Sequence, residues 1–304
     1  MKRIYINILT VFVMLEICLG VLTAWIYHSN RTFTETFYSL YSSKIETPVR
    51  AVLISDLHQA AFGEDNEELI SRIGELRPDM ILMAGDIVNK EQTDIDYAVR
   101  LCRRLSAVAP VYYGLGNHEN EAVYGNDLNV EFLEEKRGLL GENPENFSAI
   151  EQGELLKRLE EAGVTVLQNE AVLADIQGNS IQIGGISTNL SSFWPYSGAF
   201  ISRFAESEPQ SFKILISHRP DPVMEYIAGY AIELAVSGHN HGGVIRIPGV
   251  GGLLSADEGL FPDYDSGRFE SGPMTLLISR GLGGHGVIPR VFNPPELVII
   301  DILS

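Results

Sequence analysis

Five short apolar runs in this chain each end in a small polar cluster that carries Asp, Asn or His. The five clusters are Ser55-Asp56-Leu57-His58, Gly85-Asp86, Gly116-Asn117-His118-Glu119, Ser217-His218 and Gly238-His239-Asn240-His241. The runs before them have the length and composition of buried strands. Functional sites in open α/β sheets lie at the carboxyl ends of strands. The pattern therefore predicts an α/β fold in which all five clusters meet at one edge.

Helix-like stretches alternate with apolar runs from Pro48 onward, as in an α/β domain. Strands are predicted over 49–55, 80–84, 110–115, 164–167, 171–176, 181–186, 212–217, 234–237, 244–247, 274–279 and 297–302, and helices over 66–76, 97–105 and 153–162. The sequence has no internal repeat and no second domain boundary. Residues 48–304 are therefore predicted to form one domain.

The chain has seven histidines, and five of them lie in the polar clusters. One histidine after a strand is usually a hydrogen-bonded structural residue, but five beside two aspartates and an asparagine are difficult to explain in that way. Imidazole and carboxylate ligands suit first-row divalent metals, and a shared carboxylate can bridge two ions. Two ions about 3.5 to 4 Å apart clamp the attacking and leaving oxygens of an in-line displacement. The clusters therefore predict a dimetal site.

The overall charge is strongly acidic, with 22 Lys and Arg against 40 Asp and Glu and a formal net charge of −18. Nucleic-acid binding through a basic patch is not expected, because phosphate contacts need Lys and Arg. A phosphate-ester substrate would need its charge met locally, as bound metal ions would do. The two cysteines, Cys18 and Cys102, indicate neither a disulfide framework nor a Cys-rich zinc site. The sequence leaves the oligomeric state open.

The N-terminal region contains an apolar run of 24 residues, Ile4 to Tyr27. At about 1.5 Å per residue, this run is long enough to cross a hydrocarbon core of about 30 Å. A charge at Glu16 opposes insertion by roughly 2.5 to 3.5 kcal/mol, but the many Leu, Ile, Val and Phe residues around it outweigh that cost. Trp25 and Tyr27 stand where an interfacial aromatic belt would fall. Residues 1–28 are therefore predicted to be a transmembrane anchor.

Lys2 and Arg3 favour a cytoplasmic N-terminus, which predicts a single-pass protein with the bulk of the chain outside the cytoplasm. A cleaved signal peptide is one alternative, although the run is longer than a usual signal and no small-x-small site precedes Ser29. A buried core helix is another. The polar residues 29–47, rich in Ser and Thr, are predicted to be a tether.

The order and spacing of the polar clusters resemble those of the calcineurin-like metallophosphoesterase superfamily. The matching residues are Asp56-x-His58, Gly85-Asp86, Gly116-Asn117-His118-Glu119, His218, Gly238-His239-x-His241, Gly242-Gly243, Ser279-Arg280-Gly281-Leu282-Gly283 and Pro289-Arg290 to Asn293-Pro294-Pro295-Glu296. With its N-terminal segment, the chain is similar to the bacterial membrane-tethered branch, where some relatives are described as UDP-2,3-diacylglucosamine hydrolases or phosphodiesterases. The resemblance implies a metallophosphoesterase-type sandwich of two mixed β-sheets flanked by helices.

The resemblance also implies two overlapping sets of metal ligands that share Asp86. One set is Asp56, His58, Asp86 and His241, and the other is Asp86, Asn117, His218 and His239. A hydroxide bridging the two metals would attack phosphorus, and His118 would act as general acid or stabilise charge in the transition state. The ligands do not distinguish among Mn, Fe, Zn, Ni and Mg. Asn240 stands where relatives commonly have Thr, at a position that is not a ligand.

A hydrolase of this kind could be a phosphodiesterase, a phosphomonoesterase, or a nucleotide-sugar or lipid-linked pyrophosphatase. The predicted anchor favours a lipid-linked or envelope substrate. The alternative is a catalytically weak metal-binding scaffold on the same fold, tethered to the membrane. The acidic stretch 120–154 is interpreted either as a solvated helix or as a substrate-selecting lid. Arg280, His285 and Arg290 are interpreted either as structural pairs or as phosphate contacts.

Overall fold

Two six-stranded β-sheets form the centre of the computed structural model, which describes residues 2–89, 94–119, 154–186, 190–255, 259–284 and 288–304. The helices are α1 (Lys2–Ser29), α2 (Glu67–Leu76), α3 (Ile95–Ser106), α4 (Glu154–Glu161) and α5 (Leu190–Glu206). The strands are β1 (Thr34–Tyr41), β2 (Val49–Ile54), β3 (Met80–Ala84), β4 (Val111–Gly114), β5 (Val164–Leu167), β6 (Glu170–Ile176), β7 (Asn179–Gly185), β8 (Phe212–Ile216), β9 (Leu234–Ser237), β10 (Arg246–Ile247), β11 (Gly251–Gly252), β12 (Leu254–Ser255), β13 (Gly259–Leu260), β14 (Gly267–Ser271), β15 (Met274–Ile278) and β16 (Glu296–Leu303).

The first sheet has the strand order β1-β16-β2-β3-β4-β5. Strands β2 to β5 are parallel, whereas β16 runs antiparallel to β2. Every residue of β3 is buried, and its sequence is a continuous apolar run. Such runs are expected where helices or a second sheet cover both faces of a parallel sheet. The strand predicted over 80–84 is confirmed residue for residue.

The second sheet has the order β14-β15-β9-β8-β7-β6, with four parallel strands between two antiparallel outer strands. One apolar core lies between the two sheets and joins Leu53 and Leu82 of the first to Ile214 and Val236 of the second. The predicted sandwich of two mixed sheets is thereby confirmed.

Helices cover the outer faces of both sheets. The helices α2, α3 and α4 bury Ile73, Leu101 and Leu159 against the first sheet, and α5 packs Phe200 and Phe204 against the second. Each apolar side chain removed from water in this way contributes about 1.5–3 kcal/mol. This burial holds the parallel strands in register, so their carboxyl ends stay at one edge of the sandwich.

Strand β1 lies inside the segment 29–47, for which the sequence predicts a tether. It pairs in parallel with β16 along its whole length, from Thr34 opposite Glu296 to Tyr41 opposite Leu303. The prediction of an irregular tether is therefore wrong over 34–41. The reason is that β1 is an edge strand in which only Leu40 is buried, so it lacks the apolar run of an inner strand, although its Thr, Phe and Tyr residues suit a pleated surface.

Helix α1 carries the predicted N-terminal apolar run. Its residues Thr10–Ser29 are long and apolar enough to cross a membrane, with a mean hydropathy of 1.9, and none of that span is buried against the rest of the described chain. The acidic stretch 120–154 lies outside the described residues except for Glu154, and His285 also lies outside them. Their interpretations stay predictions.

Candidate metal centre

The seven predicted metal ligands lie together at the edge where parallel strands of both sheets end. Three strands of the first sheet and two of the second deliver them, with Asp56 and His58 after β2, Asp86 after β3, Asn117 after β4, His218 after β8, and His239 and His241 after β9. The carboxyl ends of parallel strands meet at such an edge, so short loops are sufficient to bring the side chains together.

The first predicted ligand set converges through the ring nitrogens of two histidines. His58 Nε2 lies 3.1 Å from His241 Nε2 and 3.8 Å from Asp86 Oδ2. His241 Nε2 is also 3.7 Å from Asp56 Oδ1. On the far side of its ring, His58 Nδ1 lies 3.2 Å from Asn89 Oδ1, to which it can donate. That contact favours the tautomer that leaves Nε2 free as a ligand.

The second predicted set converges on His218. Its Nε2 lies 3.2 Å from Asp86 Oδ2, 3.1 Å from Asn117 Oδ1 and 3.1 Å from His239 Nδ1. Its other nitrogen, Nδ1, donates to the carbonyl oxygen of Ala84 at 2.7 Å. The Oδ2 atom of Asp86 thus faces both sets.

The two sets fit a pair of divalent cations. Ligands that lie about 2.0–2.1 Å from one ion are separated from each other by roughly 3 Å, which is the spacing of these ring nitrogens and oxygens. Five of the seven residues are buried, and Asp56 Oδ2 accepts no hydrogen bond from any part of the chain that the structure describes. A bare carboxylate oxygen in that position is costly unless a cation neutralises it. These His and Asp groups are therefore able to hold a dimetal centre.

Left-handed backbone conformations are concentrated in the loops of this centre. Five of the seven predicted ligands have a positive φ, namely Asp56 (47°), His58 (47°), Asp86 (54°), His239 (73°) and His241 (48°). Such conformations are sparsely populated by residues with a side chain and cost of order 1–3 kcal/mol each. Sharp turns of this kind aim successive polar side chains back over the strand ends instead of outward.

Two glycines allow the loops to approach the carboxylates closely. A Cβ atom on Gly116 would lie 2.0 Å from Asp86 Oδ1, and one on Gly238 would lie 2.2 Å from Asp56 Oδ2. No larger residue fits at either position without displacing a predicted ligand. Both glycines directly precede a predicted ligand in the sequence.

A buried carboxylate, Glu119, holds the loop that carries Asp86. Its Oε2 accepts from the backbone N–H groups of Asp86 and Gly116, both at 2.8 Å. Its Oε1 accepts from the N–H groups of Ile87 at 2.7 Å and Val88 at 3.2 Å, and from the hydroxyl of Tyr113 at 2.8 Å. The sequence places Glu119 in a polar cluster but assigns it no role. The only sign of Glu119 in the sequence is its place two residues after the predicted ligand Asn117. The folded structure is needed to show what its carboxylate contacts.

Charge at the centre is set by burial and by the interaction of Asp86 with histidines. Burial alone would raise the pKa of Asp86, but His218 and, more weakly, His58 hold it well below its usual value. Burial would lower the pKa of His218, but Asp86 and Asp56 raise it to about 10. Burial and the nearby Asp86 carboxylate both raise the pKa of Glu119, and its hydrogen-bond donors partly offset that rise.

His118 lies beside both ligand sets and is the more exposed neighbour. Its side chain is 18% exposed, whereas that of Asp86 is 3% exposed, and its Nε2 lies 3.9 Å from Asp86 Oδ2. Its backbone N–H donates to Asp86 Oδ1 at 2.9 Å, which leaves Oδ2 directed at the centre. The ring is 4.6 Å from that of His58, centroid to centroid. His118 is therefore more accessible to solvent than the Asp86 carboxylate beside it.

Arg280 and Arg290, which follow β15 in the sequence, contact other groups of the protein. Arg280 donates to the carboxylate of Glu296 at 3.0 Å. Arg290 is almost fully buried, and its guanidinium donates to the carbonyl oxygens of Gly283 (2.7 Å) and Arg280 (2.6 Å). Burial lowers the pKa of Arg290 to about 10, although Asp56 partly opposes that shift. Both side chains thus agree with the interpretation as structural pairs.

A family model, curated relatives and solved structures resemble this chain to different degrees. The family model described as calcineurin-like phosphoesterase matches residues 49–243. An uncharacterized metallophosphoesterase of Bacillus subtilis, YkuE, is 26% identical over 84% of this chain and 79% of its own length. The UDP-2,3-diacylglucosamine pyrophosphatase LpxG of Chlamydia muridarum is 26% identical over 84% of both chains. Among solved structures, the phosphopantetheinyl hydrolase PptH of Mycobacterium tuberculosis aligns with a TM-score of 0.42 at 14% identity, over 75% of this chain and 87% of its own.

The family match spans the strand ends that deliver Asp56, Asp86, Asn117, His218 and His239, and it ends just past His241. It therefore covers the ordered ligand clusters whose side chains converge in the fold. On both grounds, this chain is a member of the calcineurin-like phosphoesterase family.

Proposed function

We propose that this chain is a membrane-anchored dimetal phosphohydrolase that cleaves a lipid-linked phosphodiester or pyrophosphate. The observation that supports it most strongly is the position of Asp86, whose Oδ2 lies 3.8 Å from His58 Nε2 and 3.2 Å from His218 Nε2. One carboxylate oxygen between two histidine-lined sets is the arrangement that a pair of bridged cations needs.

In this proposal the ligand sets are those that the sequence predicts, and both use Asp86. Asp56, His58, Asp86 and His241 would hold the first ion, and Asp86, Asn117, His218 and His239 would hold the second. When bound, two divalent cations act as Lewis acids on the phosphate oxygens and provide a nucleophile near neutral pH. The chain is strongly acidic, with a net charge of −18, so cations at the site also offset repulsion of an anionic substrate.

His118 is the proposed general acid. It stands beside Asp86 with a partly exposed ring, so its Nε2 can reach the oxygen of a leaving group while the buried histidines cannot. A proton delivered there offsets the negative charge that develops as the P–O bond breaks, which typically accelerates such steps 10²–10⁴-fold. Glu119 contributes indirectly, because it fixes the backbone on both sides of Asp86.

The proposed location and substrate class follow from α1 and from one relative. We assign residues 1–28 to a single-pass anchor and the domain from β1 onward, whose first strand is Thr34–Tyr41, to the outside of the cytoplasm. The apolar span Thr10–Ser29 and the basic residues before it support that topology. The similarity to LpxG, named as a pyrophosphatase of a diacylated nucleotide sugar, supports a lipid-linked substrate.

Metal analysis beside a substrate panel tests the proposal. The detergent-purified full chain should contain two divalent ions and hydrolyse a diester or a lipid-linked pyrophosphate faster than a monoester. Asp86→Ala should lose metal and activity together. Asp175→Ala removes a carboxylate of β6 that accepts from the N–H of Gly178 in the β6–β7 turn, at the other end of the second sheet, and should lose neither.

The two possible negative results contradict different parts of the proposed function. Two bound ions with no turnover on any substrate would instead favour the metal-binding scaffold that the sequence leaves as an alternative. A chain that takes up no ions, and whose Asp86→Ala variant behaves like the unmodified protein, would contradict the proposed function.

A further inference from the structure

Exposed apolar side chains are concentrated in one part of the surface. Outside α1, ten large apolar residues in the described ranges are strongly exposed, and six of them lie between 247 and 292. The six are Ile247 (37% exposed), Val250 (67%), Leu260 (67%), Phe261 (55%), Ile288 (36%) and Phe292 (51%). A contiguous apolar surface of this kind marks a contact with a partner or a membrane, whereas single exposed residues need no explanation.

The segments that carry these residues are neighbours, because backbone hydrogen bonds join them side by side. Arg246 N–H donates to the carbonyl oxygen of Val291 at 2.9 Å. Leu253 N–H donates to Ile245 O at 2.7 Å, and Phe261 N–H donates to Leu253 O at 3.0 Å. The ladder thus runs from 291 through 245–246 and 252–253 to 261. We call its exposed apolar residues Ile247, Val250, Leu260, Phe261 and Phe292 the docking face.

The docking face is continuous with the end of α1. The rings of Trp25 and Phe292 pack with their centroids 5.2 Å apart. A groove of about 530 Å³ lies between them and the β10–β11 hairpin, and Trp25, Ile247, Pro248, Val250 and Phe292 line it. An apolar surface that contacts the end of a candidate membrane span favours lipid over an aqueous partner.

The junction between α1 and the rest of the chain is held by polar contacts. Asn30 Nδ2 donates to the carbonyl oxygen of Arg290 at 3.0 Å, and Arg290 N–H donates back to Asn30 Oδ1 at 3.1 Å. Arg31 places its guanidinium 4.2 Å from the centre of the Tyr27 ring. Aromatic rings and a cation at a helix end are typical of the headgroup region. Because these contacts join the end of α1 to the rest of the chain, insertion of α1 into a membrane would bring the docking face to the depth of the headgroups.

We propose that the docking face lies against the bilayer and that acyl chains of membrane lipids occupy its groove. The proposal rests on the membrane insertion of α1 in the proposed function, and it adds that the domain does not float free on a tether. Side chains of an interfacial surface sit about 5–10 Å into the boundary between headgroups and acyl chains. The domain then takes its substrate from the membrane plane.

Spin-label depth measurements on the full chain in lipid nanodiscs test the proposal. A Cys18→Ser background removes the exposed thiol and keeps Cys102, which is buried. Single labels are placed by Val250→Cys and Phe261→Cys on the docking face, by Met14→Cys on α1, and by Leu173→Cys on β6. Leu173 is the matched control, because it is 55% exposed and lies on an outer strand of the second sheet.

Spin labels at 14, 250 and 261 should collide readily with oxygen, which dissolves in lipid. Their collision rate with a nickel chelate in the aqueous phase should be severalfold lower than that of the label at 173. Labels at 250 and 261 that match 173, with 14 still in lipid, would overturn the docking face and leave the anchor intact. Labels at 250 and 261 shielded from both reagents would also overturn it, because a protein then covers the surface. An aqueous label at 14 would refute the anchor and the docking face together.

Discussion

Arg290 Nη2 lies 3.3 Å from Nδ1 of His241, on the side of the ring opposite the predicted metal. The same guanidinium donates through Nη1 to the backbone carbonyl of His241 at 3.3 Å. The side-chain amide of Asn293 donates to that carbonyl as well, at 2.6 Å. His241 is thus held at both its ring and its backbone by buried polar groups, in spite of its left-handed backbone.

Arg290→Lys should weaken the first metal more than the second. A lysine keeps a charge but loses the planar fork that reaches the ring and the carbonyl together. Losses of outer contacts to a metal ligand typically cost 10–100-fold in affinity. Metal titration of the apo protein should therefore show one weakened and one nearly unchanged site. Arg280→Lys is the matched control, because its side chain pairs with Glu296 and not with a predicted ligand.

His118→Gln should keep both metals and lose most turnover. The general-acid role predicts a fall in kcat of about 10²–10⁴-fold on a substrate with a poor leaving group. The fall should be much smaller on a 4-nitrophenyl ester, whose leaving group needs no proton. Steady-state kinetics on the two substrates, with metal content measured in parallel, provide the check. An equal loss on both would contradict the proton-donor role.

Glu119→Gln should destabilise the loop that carries Asp86. An amide nitrogen in place of either carboxylate oxygen would face backbone N–H donors, and a buried donor left without an acceptor costs about 1–3 kcal/mol. The thermal midpoint of the variant and its affinity for metal should both fall. Glu75→Gln, exposed on α2, should change the free energy of unfolding by less than about 0.5 kcal/mol. A Glu119 variant as stable as that control would show that the five contacts are not needed.

Metal uptake should release protons, and affinity should rise with pH. Asp86 and Asp56 raise the pKa of His218 to about 10, so the metal-free protein carries a protonated His218 at neutral pH. A ligating imidazole must be neutral, so binding expels about one proton at this residue. Because protons compete with metal below the raised pKa, affinity should increase as pH rises towards it. Calorimetric heats at pH 7.5 in two buffers of different ionisation enthalpy measure the release, and identical heats would exclude it.

The convergence of the predicted ligands could be anticipated from the sequence because each lies within four residues of the end of its strand. Asp56 and His239, for example, are each the second residue after a strand, and the topology brings the ends of these strands to one edge. Short loops after the strands are sufficient to bring these side chains together. The sequence does not reveal that Glu119 and Arg290 hold the predicted ligands, because their partners are mostly backbone groups that only the folded chain brings near.

The missed elements share a weak local pattern. Strand β1 is half exposed at a sheet edge, so its sequence resembles that of a polar segment without regular structure. Its pairing with β16 is what makes it a strand. Helix α5 (Leu190–Glu206) contains Pro195 and two neighbouring serines, which lower intrinsic helix propensity. Tertiary packing decides such segments. The left-handed backbone at five predicted ligands could not be predicted either, because no sequence pattern indicates a positive φ at Asp or His.

The position of β16 between β1 and β2 has a consequence for how the protein is made. Thr34 is the partner of a residue that the ribosome adds about 260 positions later, and β2 also waits for that same segment. The first sheet therefore cannot close until residues 296–303 have been synthesised, because pairings between such distant segments form slowly. Until then, β1 and the neighbouring edge of β2 both lack the partner strand that later lies between them.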